Sequence, residues 1–206
     1  VESGRATGVV LENGQRVAAP VVVSNADLRQ TVLELVGPEH FSARFRRPLA
    51  RLAPSISAFV TYLATDLDLA RLGASHETFV YPGFDHEAAF EATLAGRPGW
   101  WTATVPTLAD PTLAPAGTHL MTLTTLLPYG AQRDWRSEKS ARVDAMIEAA
   151  DSRFPGLADS VRFAEGGTPR TLERYTRNSD GAMYGWALSP DQIGPSRPGN
   201  ETPLPG

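Results

Sequence analysis

Residues that could carry chemistry are few in this chain, and their spacing does not assemble a familiar catalytic set. There is no cysteine, which excludes a thiol nucleophile, a disulfide and a cysteine-ligated metal. No two histidines have the i, i+4 spacing that puts two imidazoles on one helix face for a metal ion. The four histidines are His40, His76, His86 and His119. We therefore predict no metal site and assign no catalytic acid or base.

Glycine-rich signatures for phosphates and nucleophiles are also missing. The sequence has no G-x-G-x-x-G, no P-loop and no G-x-S-x-G motif. Gly166-Gly167 precedes a predicted helix and could hold an anion at the helix N-terminus, but a plain loop is the simpler interpretation. Asp66 and Asp68 suit the positive end of a helix dipole better than a catalytic dyad. These motifs alone specify no reaction.

The remaining chemical signal is a set of aromatic residues, several of them beside glycines. They are Trp100, Trp101, Tyr175, Tyr184 and Trp186. One interpretation is that they fill the core, as large aromatic side chains usually do. The other is that they line an apolar ligand pocket, since such pockets combine aromatic walls with a few polar groups.

Composition limits the class of protein that could hold such a pocket. The chain has 206 residues, 42% of them hydrophobic, and a net charge of −4. These values predict a globular domain and argue against a nucleic-acid-binding surface, which is usually basic. No window is long and apolar enough for a transmembrane helix, and the lack of cysteine fits a cytoplasmic protein, which we expect.

Residues 6–24 predict a β-hairpin at the start of the chain. Asn13-Gly14 is the strongest two-residue turn signal, because both turn positions require positive φ. The apolar run from Val21 to Val23 predicts that the second strand is buried on both faces. An uncovered apolar edge tends to pair with another chain, so we expect a homodimer through this hairpin.

Two helices follow the hairpin, at residues 28–36 and 38–52. The second has an apolar face formed by Phe41, Phe45, Leu49 and Leu52, and arginines around it at positions 44, 46, 47 and 51. We favour a solvated face in which arginine stems cover apolar surface. The alternative is a basic amphipathic helix in peripheral contact with an anionic membrane.

The rest of the chain mixes strands and helices of unequal length. Strands are predicted at residues 55–65, 76–81, 100–105, 118–127 and 160–164, and helices at residues 66–72, 85–94, 135–154 and 168–176. No regular crossover helices join the strands. We therefore predict an α+β fold with a mostly antiparallel mixed sheet covered by helices. Residues 189–206 are rich in proline and glycine and predict an extended or mobile tail.

Three stretches of the sequence resemble one family of flavoproteins. The first covers residues 4–14 and continues as V-V-V-S-N-A-D at residues 21–27. The second is L-A-D-P at residues 108–111 with L-A-P-A-G-T-H at residues 113–119. The third joins T-P at residues 168–169, L-E-R-Y-T-R-N at residues 172–178 and G-A-M-Y-G-W at residues 181–186. In this order they resemble the FAD-dependent phytoene desaturase and carotenoid isomerase family, within the flavin amine-oxidase-like oxidoreductases.

The resemblance implies that the chain is a C-terminal fragment of a longer enzyme, because both glycine-rich FAD motifs of the family are absent from it. Residues 1–27 would be a hairpin and strand of the incomplete FAD-binding domain. Residues 28–188 would be the substrate-binding domain, and residues 189–206 would lead back to the missing FAD domain. FAD is then expected in the full-length parent, and this fragment is not expected to bind it tightly.

The resemblance also implies a function and a set of site residues. The parent would desaturate or isomerise a long apolar, carotenoid-like substrate, with the flavin as the redox group. Residues expected near the flavin and substrate are Tyr175, Asn178, Gly181, Ala182, Tyr184, Gly185 and Trp186. Residues expected to contact the FAD domain are Ser24, Asn25 and Asp27, for which helix capping is an equally good explanation.

Two other functions remain open at this stage. One is a related flavin oxidoreductase with a non-carotenoid substrate, such as an amine or a lipid. The other is a non-enzymatic module that binds lipid or a protein partner.

Overall fold

The computed structural model describes residues 1–130, 133–199 and 203–204. Its strands are β1 (Gly8–Val10), β2 (Arg16–Ala18), β3 (Ser57–Thr65), β4 (Glu77–Val80), β5 (Trp101–Thr104), β6 (His119–Leu127) and β7 (Val161–Gly167). Its α-helices are α1 (Leu28–Gln30), α2 (Ala43–Arg51), α3 (His86–Leu94), α4 (Trp135–Asp151), α5 (Leu157–Ser160) and α6 (Pro169–Thr176). A π-helix, Thr31–Val36, continues α1.

The main sheet has five strands in the order β4-β5-β6-β3-β7, and every neighbouring pair is antiparallel. The two longest strands, β3 and β6, pair over nine residues, from Ser57 opposite Leu127 to Thr65 opposite His119. β3 is rich in β-branched and aromatic residues, and β6 alternates threonine with leucine and methionine over much of its length; β-branched and aromatic residues suit a pleated, packed surface. The predicted α+β class with a mostly antiparallel sheet is confirmed.

Helix α4 packs against the buried face of this sheet. The main core includes Phe59 and Leu63 from β3, Leu123 from β6, and Met146 and Ala150 from α4. The side chain of Asp134 accepts a hydrogen bond from the Arg136 amide and so caps the helix. The predicted helix at residues 135–154 is confirmed, although it ends three residues early.

A second, smaller core joins the π-helix to α2. Val32, Phe41 and Leu49 form its buried centre, and Trp186 packs against it. The Ser42 hydroxyl caps α2 by accepting a hydrogen bond from the Phe45 amide. The continuous helix predicted at residues 38–52 is wrong, because a 3-10 turn at Pro38–His40 and an extended Phe41 precede α2. The predicted apolar residues nevertheless face the protein interior, with Phe45 partly buried and the other three buried. The arginines of α2 remain exposed, and their contact with a membrane stays a prediction.

Within the described residues, no helix is both long and apolar enough to span a bilayer.

The strand predicted through Val21 to Val23 is wrong. The second strand of the hairpin ends at Ala18, and the Val21 and Val23 side chains are 62% and 87% exposed. Pro20 supplies no amide hydrogen, and no strand lies beside this run among the residues that the structure describes. A β-branched run becomes a buried strand only where another strand or layer receives it.

The helix predicted at residues 66–72 is also wrong. Bends and hydrogen-bonded turns occupy this stretch, and the Leu72 amide donates to the Asp68 carbonyl in a single turn. Forming a first helical turn is costly, so a seven-residue stretch that ends at Gly73 gains too few hydrogen bonds to continue. Leu69 is nevertheless fully buried and contributes to the main core.

The C-terminal segment is more closely attached than its composition predicts. The buried Gln192 side chain accepts from the Ala53 amide at 2.7 Å and donates to the Ala53 carbonyl at 3.2 Å. Arg197 donates to the carbonyls of Trp186 and Ala187 at 3.1 and 2.9 Å. The described part of the tail therefore packs against the residues that flank β3. The proposed domain boundaries stay predictions.

Candidate functional site

The candidate site is a loop beside the first strand of the core, at residues 177–186. The loop runs antiparallel to residues 53–56. The Ser55 amide donates to the Gly185 carbonyl at 2.7 Å, and the Met183 amide donates to the Ile56 carbonyl at 3.1 Å. Pro54 and Trp186 form an isolated antiparallel bridge. Backbone hydrogen bonds to this extension of β3 therefore set the position of the second half of the loop.

The two glycines of the loop differ in what surrounds them. Both have positive φ, +58° at Gly181 and +71° at Gly185. A Cβ at Gly181 would lie 2.4 Å from the Pro169 carbonyl oxygen, so the loop packs too tightly there for any side chain. At Gly185 no heavy atom lies within 4 Å of that position. Only Gly185 leaves its backbone open to a ligand, whereas Gly181 serves the packing of the loop.

Asn178 and Ala182 form the internal structure of the loop. The Asn178 side chain donates to the Ala182 carbonyl at 3.0 Å, which closes the turn between them. Ala182 is 3% exposed. Both residues were expected near a ligand, but here they fold the loop rather than offer free groups.

The aromatic residues of the site have two different environments. Tyr175 and Tyr184 present their rings to solvent, with 76% and 58% of their surface exposed. Trp186 is partly buried, and the Arg29 guanidinium lies 5.2 Å from the centre of its ring. This is a cation–π distance, so Arg29 helps to hold Trp186 in place. The two tyrosines are the side chains of the set that a ligand could reach.

Asp27 connects the N-terminal candidate residues with the loop. One carboxylate oxygen, Oδ1, accepts from the amides of Arg29 and Gln30 and caps α1, and the other, Oδ2, accepts from the Ser179 amide at 2.9 Å. Ser24 forms a hydroxyl contact with Thr31 at 2.7 Å, and Asn25 is exposed. Of the three residues, Asp27 is therefore the one that forms a hydrogen bond to the candidate loop in the described structure.

The surroundings of Asp27 favour its charged form. Burial alone would raise the pKa of this carboxyl, but hydrogen bonds from Ser179, Gln30 and Arg29 outweigh it and hold the pKa below its ordinary value. The group is consequently a carboxylate at neutral pH and accepts hydrogen bonds with both oxygens.

A polar pair at α6 was missed in the sequence. The Tyr129 hydroxyl donates to the Glu173 carboxylate in a short hydrogen bond. That bond is the main cause that raises the pKa of Tyr129 above its ordinary value, with burial adding to it. Tyr129 follows β6 and Glu173 lies in α6, so nothing in their local spacing could have paired them.

The second face of the five-stranded sheet is partly open, and we call its centre the threonine face. Its members are Thr102 and Thr104 of β5 and Thr122 and Thr124 of β6. Register places Thr102 opposite Thr124 and Thr104 opposite Thr122, whereas the alternate residues of both strands enter the main core. Their hydroxyls form no side-chain hydrogen bond within the described residues. The alternation of threonine with leucine and methionine in β6 was a signal from which this face could have been found.

Aromatic rings stand along the edge of the threonine face. Phe79 and Tyr81 stack on Trp100, with ring centres 6.2 and 5.6 Å apart. Phe79 lies opposite Thr102 and is 56% exposed. The stack is therefore a partly exposed aromatic surface beside the threonine face, where Thr102 is buried and Thr104, Thr122 and Thr124 are partly exposed. Trp100 was singled out in the sequence, but its partners were not.

The glycine pair that could have held an anion is instead the end of a strand. Gly166 and Gly167 are buried residues of β7. A Cβ at Gly166 would lie 3.0 Å or less from atoms of Val143 and Phe59, so α4 and β3 occupy the space. Among the described residues no cluster of histidine and carboxylate side chains could hold a metal ion.

Two cavities of the described structure lie away from the loop. One of about 400 Å³ lies between α2 and the C-terminal segment, lined by Arg47, Arg51 and Gln192. Another of about 290 Å³ lies beside α4, lined by Phe59, Arg142 and Met146. The candidate loop is therefore an exposed surface that a ligand could reach from outside.

Curated relatives match most of this chain but only part of their own length. It is 29% identical to a mouse (Mus musculus) pyridine nucleotide-disulfide oxidoreductase domain-containing protein 2, over 95% of this chain and 37% of that protein. It is 27% identical to a zeta-carotene-forming phytoene desaturase of Myxococcus xanthus, over 97% of this chain and 39% of that enzyme. It is 26% identical to a chloroplastic prolycopene isomerase of Daucus carota, over 90% of this chain and 30% of that enzyme.

The fold itself recurs in a solved structure. An oxidoreductase from Methanosarcina mazei superposes with a TM-score of 0.56 and 22% identity, over 99% of this chain and 40% of that one. No family model matches the chain. The relatives confirm the resemblance that the sequence predicted: the chain is similar in sequence to a phytoene desaturase and a prolycopene isomerase.

Proposed function

We propose that this chain is the substrate-binding portion of an FAD-dependent oxidoreductase that desaturates or isomerises a long apolar, polyene-like molecule. The observation that carries the proposal is the threonine face with its aromatic stack. The face is one side of a rigid antiparallel sheet, and its Phe79 and Tyr81 rings are exposed rather than packed in the core. Exposed aromatic rings fixed on a sheet offer stacking contacts to a long conjugated ligand.

The chain's own residues fit a flavin only at one end of the candidate loop. At Gly185 the backbone is open and the Tyr184 ring is exposed, so a flat ring system can lie against it. At Gly181 the Pro169 carbonyl fills the space, which excludes the same approach. When bound, the flavin supplies the acceptor for the electrons that desaturation removes. The phosphates of FAD would be held by other parts of a longer protein.

The work of this chain is then to bind and orient the substrate and to keep water away from it. The sheet supplies a wall of fixed shape, because its opposite face is locked to α4 through the main core. The Tyr129 phenol keeps its proton, since its hydrogen bond to Glu173 raises its pKa. We assign no catalytic acid or base.

A flavin oxidoreductase with a non-carotenoid substrate is the second candidate. The free hydroxyls of the threonine face support it, because a purely hydrocarbon ligand would leave them unpaired. The mouse relative, whose name specifies no carotenoid, is consistent with it.

The experiment is a fluorescence titration of the chain with parinaric acid, a conjugated tetraene whose emission rises in an apolar site. We expect saturable binding, and Phe79→Ala should weaken it about 10-fold because the aromatic stack loses a ring. Phe84→Ala is the matched control, since Phe84 is fully exposed and belongs to no ring pair among the described residues. Absence of binding, or an equal loss in both variants, would contradict the proposal.

The same preparation tests the cofactor assignment. We expect FAD to pass through an ultrafiltration membrane without being retained by the chain. Stoichiometric retention would overturn the assignment of FAD binding to another part of the parent.

A homodimer through the N-terminal hairpin stays a prediction. The apolar side chains of Val9, Val10, Leu11 and Val17 are each more than 40% exposed, so nothing in the described part of the chain covers this side of the hairpin. Light scattering coupled to size exclusion distinguishes a monomer from a dimer. A monomer at high concentration would contradict the prediction.

A further inference from the structure

We propose that Asp27 is a positioning residue that holds the 177–186 loop in the conformation needed to receive a ligand. The proposal deepens the proposed function, because it takes the open end of that loop as part of the binding surface. It concerns a single carboxylate that links two segments 152 positions apart in the chain.

The geometry of Asp27 divides its two oxygens between two tasks. Oδ1 accepts from the amides of Arg29 and Gln30 at 2.7 and 3.1 Å, which caps α1. Oδ2 accepts from the Ser179 amide at 2.9 Å. Capping of α1 requires only the hydrogen bonds to Oδ1, and the uncharged hydroxyl of a serine could accept them. The second oxygen is what ties the loop to the start of α1.

The loop needs such an external tie because its backbone is strained. Three non-glycine residues have positive φ in the described structure, and Arg177 and Asp180 are two of them, at 60° and 54°. Residues held in this region persist only where the surroundings over-determine them. Ser179 lies between these two positions, so the hydrogen bond from Asp27 acts at the most strained part of the loop.

Arg29 fixes the other end of the same loop. Its guanidinium lies over the Trp186 ring and donates to the carbonyls of Leu49 and Leu52 at 3.0 and 2.7 Å. These carbonyls end α2, where a positive charge is favourable. Asp27 and Arg29 thus clamp the loop at Ser179 and at Trp186, with the open Tyr184 and Gly185 between the two points.

The substitution Asp27→Ser tests the hydrogen bond to Ser179 separately from the capping of α1. Asp27→Ser keeps a hydroxyl that can cap α1 but removes the second oxygen. The matched control is Asp134→Ser at the N-cap of α4, where the carboxylate accepts from the Arg136 amide and from no other group of the described residues. Both variants should melt within a few degrees of the wild type, because each retains a capping group.

Hydrogen exchange and parinaric acid binding then give two readouts that a plain capping role would not move. In Asp27→Ser we expect exchange of the amides at residues 181–184 to speed up about 10-fold, as loss of a charge-assisted hydrogen bond predicts, and the Kd for parinaric acid to rise several-fold. In Asp134→Ser both should stay at wild-type values.

Each outcome decides a different point. Unchanged exchange in Asp27→Ser, or the same change in Asp134→Ser, overturns the proposal that Asp27 holds the loop. Faster exchange with an unchanged Kd overturns its role in ligand binding. If the wild-type chain does not bind parinaric acid at all, the proposed function fails, while the exchange comparison still decides whether Asp27 positions the loop.

Discussion

The two faces of the five-stranded sheet are made from neighbouring residues of the same strands, yet α4 covers one face and the other is partly exposed. Phe59 of β3 is fully buried against α4, whereas Phe163 of β7 lies on the other face and is 56% exposed. In β6, the Thr125 side chain is buried and donates a hydrogen bond, whereas the adjacent Thr124 lies on the threonine face, is partly exposed and has no side-chain hydrogen bond within the described residues. Residue type therefore decides little here, and the layer that covers each face decides whether a side chain stabilises the fold or remains available to a ligand.

Two phenylalanine-to-alanine substitutions, one on each face of the sheet, test whether the faces differ in packing. Phe59→Ala removes a fully buried ring and should cost about 3–5 kcal/mol of unfolding free energy, because it leaves a cavity beside α4. Phe163→Ala removes an exposed ring and should change stability by less than about 0.5 kcal/mol. Urea denaturation measures both. Similar losses in the two variants would show that the second face is also packed.

A smaller difference in stability is expected between substitutions of two adjacent threonines, one on each face of the sheet. The Thr125 hydroxyl donates to the Trp100 carbonyl at 2.8 Å, so Thr125→Val should cost about 1 kcal/mol. Thr124→Val keeps the shape and removes a hydroxyl that has no partner within the described residues, so stability should hold or rise slightly. Thermal melts of both variants check the difference. A destabilised Thr124→Val would mean that its hydroxyl has a structural role.

The smallest expected effect is a change in the pH dependence of stability, which we compare for the capping carboxylates Asp27 and Asp110. The pKa of Asp27 is lowered by bonds from two segments, and that of the exposed Asp110 by Thr112 alone. A carboxyl with a lowered folded pKa contributes stability above its unfolded pKa and loses it as pH falls through the folded pKa. Asp27→Ser should therefore lower the melting temperature at neutral pH, and the difference from wild type should shrink below about pH 4.

Asp110→Ser is the control for this pH dependence. Because its hydrogen bonds are local and exposed to water, it should have a smaller effect at every pH. An Asp27→Ser effect that is flat from neutral to acidic pH would contradict the assignment of the carboxylate charge to this role.

Much of the fold could be predicted because its signals are local. The caps at Asp85 and Thr168 and the alternation in β6 each act within a few residues, and the structure contains all three. The chain also turns at Asn13-Gly14, but the predicted two-residue turn is wrong: five residues separate the paired Val10 and Arg16, and of Asn13 and Gly14 only Gly14 has positive φ. The failures lie where a local pattern needed a distant partner. Val21 to Val23 form no strand because no other strand lies beside them in the described residues.

The candidate site could be predicted only as two separate sets of residues. The resemblance indicated residues 24–27 and 175–186, and it did not distinguish groups that fold the loop, such as Asn178 and Gly181, from groups that are open, such as Tyr184 and Gly185. That distinction depends on which neighbour fills the adjacent space. No periodicity in the sequence contains this information.

By itself, the sequence determined most of the kinds of elements, the alternating faces of the strands and the resemblance to carotenoid desaturases and isomerases. The tertiary structure alone decided that α4 covers one face of the sheet and leaves the other partly open, and that Asp27 reaches Ser179. The physical reason is distance along the chain. Secondary structure follows from side-chain propensities and hydrogen bonds within a few residues, whereas burial and the meeting of distant groups depend on how the whole chain packs.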